Sequence, residues 1–136
     1  MVRHAHARWL GLVLALALGG CGDDDRPASF EYIHTAILAP SCATASCHTV
    51  EVSQAGVRLD TVESAYAMLV GRPCDADPSD DQAPRNYVDP GHPERSRLVY
   101  LLRGDEVRKA MPPDRLLPDP DVELIERWIL EGAPCN

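Results

Sequence analysis

The sequence predicts a small all-α domain of about four short helices joined by long loops. Three observations carry this reading. Apolar residues recur at helical spacing rather than in alternation, and capping and stopping residues flank those stretches. Between them fall many of the 12 prolines and 9 glycines of the 136-residue chain.

The elements follow in order. Ser29 caps a helix starting at Phe30, with Phe30, Ile33, Ile37 and Leu38 on one face; Pro40 is expected to end it. Val57-Arg58-Leu59 reads as extended. Asp60, three before Glu63, is a capping-box-like start for a helix whose stripe is Val62, Tyr66, Leu69 and Val70, closed by Gly71. Residues 72–93 are a Pro- and Asp-rich loop, and loops of such length are usually functional or mobile. A third helix covers roughly Glu94 to Arg103, with Leu98, Val99, Leu101 and Leu102 apolar and Gly104 as stop. The fourth has Asp119 as cap and Pro120 in its first turn. Val122, Ile125 and Ile129 form its stripe beside Leu124 and Trp128, and Gly132 ends it. Short helices are marginal without tertiary burial. With a single Phe in the chain, a protein-only core looks thin, so a cofactor, metal or disulfide is expected to contribute.

Charge excludes some functions. There are 13 Lys and Arg against 21 Asp and Glu, a net −8. Nucleic-acid binding needs clustered cations to neutralise phosphates, so none is expected. The phosphate-loop and dinucleotide glycine patterns are absent, which leaves nucleotide chemistry without support.

Residues 1–20 read as an address rather than as fold. Arg3 and Arg8 form a positive start, and Trp9 to Leu18 is an apolar run too short to span a bilayer. Leu18-Gly19-Gly20-Cys21 resembles the bacterial lipobox, which implies that Cys21 becomes the lipidated first residue of the mature chain. An ordinary cleaved signal, or a short anchor left uncut, is the alternative. Residues 21–29, with three consecutive aspartates, read as an acidic, hydrated tether. Once the leader is removed, 11 Lys and Arg remain against 21 acids, a charge of −10. Such a surface suits encounter with a basic partner. Export places the domain, residues 30–136, in an oxidising compartment.

The chemistry concentrates in Cys42-Ala-Thr-Ala-Ser-Cys47-His48. Two cysteines followed directly by a histidine is the arrangement for attaching haem c. Two thiols add across the porphyrin vinyl groups, and the adjacent imidazole is held under the iron. The usual gap between the cysteines is two residues; here it is four, so the segment must bulge.

At these residues the chain resembles the small monohaem cytochrome c domains of bacterial envelope lipoproteins, the planctomycete-type group. The shared segments are the haem motif, Gly56-Val-Arg-Leu-Asp-Thr61, Pro90-Gly-His-Pro-Glu-Arg-Ser-Arg-Leu98, Met111-Pro-Pro113 and Trp128-Ile-Leu-Glu-Gly-Ala-Pro134. The resemblance implies an all-α cytochrome c-like fold with its long loops around one covalent haem c. It implies thioethers at Cys42 and Cys47, His48 on the iron and Met111 as the opposite ligand. A soft thioether suits haem iron, and His/Met ligation raises the potential into a range useful for electron transfer. The rival reading of Met111 is a core gap-filler.

The other candidates weigh less. His92, in a Pro-bounded turn, is the alternative distal ligand, although loop histidines are usually just exposed. His34 is expected to make a partly buried polar contact, and Met68 to pack. Tyr87 and Trp128 either touch the porphyrin or belong to the core. With Cys21, Cys42 and Cys47 assigned, Cys74 and Cys135 remain as an even pair, expected to form a disulfide.

The leading expectation is therefore a membrane-tethered electron carrier in the cell envelope, periplasm-facing or on the outer membrane. It would work with a redox partner protein and have neither a small-molecule substrate nor enzymatic chemistry of its own. A haemless structural lipoprotein, with Cys42 paired to Cys47, is the alternative. A zinc site built on Cys42, Cys47 and His48 would lack a fourth nearby ligand.

Overall fold

The computed structural model describes residues 24–77, 87–105 and 109–136, and no strand forms among them. The leader, Cys21 and much of the 72–93 loop lie outside the described residues. The fold is all-α. Helix α1 consists of an α turn at Phe30–Ile33, a π turn at His34–Leu38 and a closing α turn at Ala39–Ser41. Helix α2 is Val62–Val70, α3 is Arg97–Arg103 and α4 is Asp119–Leu130. Short 3-10 turns stand at Gln54–Gly56 and Pro93–Arg95.

Local chemistry accounts for the helix ends. The Ser29 hydroxyl accepts from the Tyr32 N–H. Pro40 does not end α1, contrary to expectation. The π register, with the Ala39 N–H on the His34 carbonyl, opens the turn ahead of it. In a regular α turn the proline ring would press on the carbonyl four residues back. The cap of α2 is Thr61 in a reciprocal pair with Ser64, one residue beyond the Asp60–Glu63 pair the sequence suggested. Gly71 and Gly104 close α2 and α3 at φ values of 86° and 72°, which glycine adopts without the Cβ clash of other residues. The expected third helix is split. Ser96 interrupts it because its hydroxyl is buried and occupied, donating to the His92 carbonyl and accepting from the Asp89 N–H. Pro118, not Asp119, occupies the cap position of α4, while Asp119 and Asp121 place negative charge in its first turn.

The helices meet around an aromatic cluster. The ring of Phe30 on α1 lies 5.2 Å from Tyr66 on α2 and 5.0 Å from Trp128 on α4. All three are essentially solvent-free. Their polar handles are satisfied by the C-terminal tail: the Tyr66 hydroxyl donates to the Ala133 carbonyl at 2.9 Å, and Trp128 Nε1–H to Pro134 at 2.8 Å. The tail then reaches α1, where the Asn136 carbonyl accepts from the Glu31 N–H. Cys74 and Cys135 are joined in a disulfide with a Cα separation of 5.3 Å, within the range such bridges span. Trp128 is thus core, the second of the two readings its spacing allowed.

The segment expected to be a hydrated tether is, over residues 24–28, fastened to the domain. Arg26 bonds Asp24, the Asp121 carboxylate and the Pro120 carbonyl, and Arg127 donates to the carbonyls of Asp24 and Arg26. Arginine's forked donors can serve carboxylates and helix-end carbonyls together, which repetition of aspartates alone does not reveal.

Candidate functional site

A cavity of about 230 Å³ opens between α1, α2, α3 and the loops after Ser41 and before Leu116. Its walls are mainly aliphatic: Leu38 from α1, Val57 and Leu59 from the extended strip, Leu69 from α2, and Leu98, Leu101 and Leu102 from α3. Cys42, Cys47, His48 and Met111 all line it. Tyr87, Arg97 and Lys109 do as well, with the guanidinium of Arg97 lying 5.6 Å from the centroid of the Tyr87 ring.

The Cys42–His48 segment is folded by its own backbone. The Cys42 N–H continues the helix ladder to the Leu38 carbonyl at 2.8 Å. The Cys42 carbonyl then accepts from the His48 N–H at 3.1 Å, and Cys47 N–H donates to Thr44. This closed turn throws Thr44, Ala45 and Ser46 out to solvent while both cysteines stay on the cavity wall. The long gap is thereby accommodated as a bulge. Beyond His48 the chain returns over the cavity through Ser53, Ala55 and Gly56, at φ of 34°, 55° and 76°. Two of these are non-glycine residues in the left-handed region, and Ala55 lines the cavity. Backbone held this way typically accompanies function.

Electrostatics distinguishes the two thiols. Burial pushes the Cys42 thiol up to about 11, and the neighbouring Cys47 adds to the effect. Cys42 packs against the hydrophobic core, whereas the Cys47 sulfur lies beside the Ser46 hydroxyl. The His48 ring makes no hydrogen bond among the described residues, and its Nδ1 is buried without a partner. An unpaired buried nitrogen costs about 1–3 kcal/mol.

The remaining candidates separate clearly. Met111 stands at the cavity mouth, 37% exposed, with its N–H on the Leu101 carbonyl. His92 does not line the cavity; it is 47% exposed and its Nδ1 pairs with Glu94 at 3.1 Å. His34 is buried, with Nε2 donating to the Leu59 carbonyl at 3.0 Å, the polar contact expected of it. Met68 packs against the core. Among the described residues no group of three or more His, Cys, Asp or Glu side chains is arranged to hold a metal ion, so the zinc alternative has no ligand set there. Sequence reasoning missed the two cations on the cavity rim. Arg97 lies in the Pro90–Leu98 segment, but nothing in its spacing marks it as lining the cavity.

Among the described residues no helix is long and apolar enough to cross a membrane. Comparison with protein-family models, characterised proteins and solved structures yields no match.

Proposed function

We propose that the chain is an electron-transfer module carrying one covalently attached haem c, held in the cell envelope by lipid on Cys21. One observation carries the reading: Cys42, Cys47 and His48 from one loop and Met111 from another, distant in sequence, line a single largely aliphatic cavity. Haem, when bound, supplies a one-electron centre.

The chain's own residues do the rest. The two cysteines supply thiols from one wall, fixing the ring against loss. His48 has a ring free of competing protein hydrogen bonds, and Met111 offers a thioether at the mouth. The leucine walls exclude water. Among the described residues, Arg97 and Lys109 are the Arg and Lys side chains on the lining and no Asp or Glu joins them, in a chain with an acidic excess. Positive charge at that rim suits a flat apolar group with carboxylate substituents. The resemblance to envelope cytochromes c points the same way.

The test is an absorption spectrum, before and after dithionite, on protein from a host that matures cytochromes c. A haem spectrum that stays with the polypeptide through acid and organic extraction is expected; a colourless product refutes the reading. The alternative is a haemless structural lipoprotein in which Cys42 and Cys47, both free thiols on the lining of this cavity, would be paired. A colourless product with the two cysteines cross-linked would favour it.

A further inference from the structure

We infer that His34 is a positioning residue for His48, acting through the backbone of Leu59; the assignment rests on the haem reading for its consequence, though not for its geometry. His34 lies on the π turn of α1 and is 6% exposed. Its Nε2 is 3.0 Å from the Leu59 carbonyl. A carbonyl oxygen only accepts, so this nitrogen carries the hydrogen and the ring is held as the Nε2–H tautomer. On the other side of the same residue, the Leu59 N–H donates to the His48 carbonyl at 2.8 Å. The Leu59 side chain is 5% exposed and lines the cavity. One residue therefore joins two histidines and forms part of the wall between them.

The reason this matters is what His48 lacks. Imidazole ligands are ordinarily oriented by a hydrogen bond from the second ring nitrogen. Here Nδ1 is buried with no such partner. The ring's direction is left to the backbone that carries it. That backbone is tied at two points, the His48 N–H to Cys42 and the His48 carbonyl to Leu59. The first tie is internal to the attachment turn. The second fixes the turn against the rest of the domain, and its far side is held by His34. Removing the His34 donor leaves the Leu59 carbonyl buried and unpaired, and the strip carrying Val57 and Leu59 loses its side-chain anchor to α1.

Three measurements on the full chain as purified test this. First, the ¹⁵N shifts of the wild-type His34 ring should report the Nε2–H tautomer; an Nδ1–H ring overturns the inference without any variant. Second, His34→Leu should speed amide exchange at Leu59 at least tenfold relative to a core amide such as Leu102. His34→Gln, which keeps an N–H donor on a side chain of similar reach, should restore most of the protection. Equal exchange in both variants and wild type overturns the link. Third, in haem-loaded protein His34→Leu should shift the midpoint potential and speed binding of added imidazole to the iron, with His34→Gln close to wild type. An unchanged potential and ligand rate in His34→Leu, despite faster Leu59 exchange, reduces His34 to a purely structural contact. Failure to acquire haem refutes the electron-carrier reading, while the tautomer and exchange results still decide the link.

Discussion

Replacing Cys74 and Cys135 together by alanine tests how the C-terminal tail is held to the segment that follows α2. The bridge closes 61 residues of chain. Loop-closure entropy for a loop of that length corresponds to about 4 kcal/mol at 25 °C. In the folded state the tail has other fastenings. Ala133 is fully buried, Tyr66 and Trp128 donate to the tail carbonyls, and Asn136 accepts from the start of α1. These bonds hold the C-terminus near its place while the protein stays folded, but they do not restrain the unfolded chain. The stabilisation therefore acts chiefly on the unfolded state, and the folded structure should change little. We expect a loss of about 2–4 kcal/mol by urea denaturation, with an increased m-value as the unfolded chain expands. Reduction of the wild-type protein should reproduce the loss. A change below about 1 kcal/mol, or one accompanied by loss of near-ultraviolet signal from Trp128 before unfolding, would refute this reasoning.

Further outcomes follow from the site and its surroundings. In haem-loaded protein, Met111→Ala should open the iron to carbon monoxide and cyanide, whereas His92→Ala, remote from the cavity lining, should leave spectrum and potential unchanged; the reverse pattern would move the ligand to His92. In the haem-free chain Cys42, pushed up to about 11 by burial, should resist alkylation at neutral pH and react as pH approaches that value, which mass spectrometry can follow. Asp24 is held down to about 2 from its usual 3.8, first by the Arg26 side chain. A depressed carboxyl favours the folded state above its unfolded value and loses that contribution as pH falls from about 4 to about 2. Asp24→Asn should therefore flatten the stability profile in that acid window alone, and an unchanged slope would show the contact to be ineffective in solution.

The turn closed by the Cys42 carbonyl and the His48 N–H changes how the unusual spacing is to be understood. Four intervening residues would place the cysteines far apart on an extended chain. A turn that expels its middle residues keeps both thiols on the lining of one cavity, so the gap alters the outline of the loop rather than the placement of its ends.

The sequence by itself determined what depends on neighbours along the chain. Helical class, the Ser29 cap, the Gly71 and Gly104 stops and the apolar faces of α2 and α4 are local matters of hydrogen bonding, left-handed backbone and side-chain period. So were the main candidates for the site, since the Cys-Cys-His order and the Met-Pro-Pro segment are visible as residue types. What the tertiary structure decided depends on which turns close and which groups they bring together. Met111 rather than His92 shares the cavity with the Cys42–His48 loop because the Leu101 carbonyl holds the Met111 N–H at the mouth, while His92 is turned to Glu94. Arg26 clamps the residues around Asp24 because Asp121 and the Pro120 carbonyl lie where α4 begins. The split before α3 turns on the buried Ser96 hydroxyl, and the continuation of α1 through Pro40 on a π turn. For Arg26 the deciding partners lie far along the chain, whereas at Met111, Ser96 and Pro40 they lie within about ten residues, in turns whose closure the spacing of residue types does not announce.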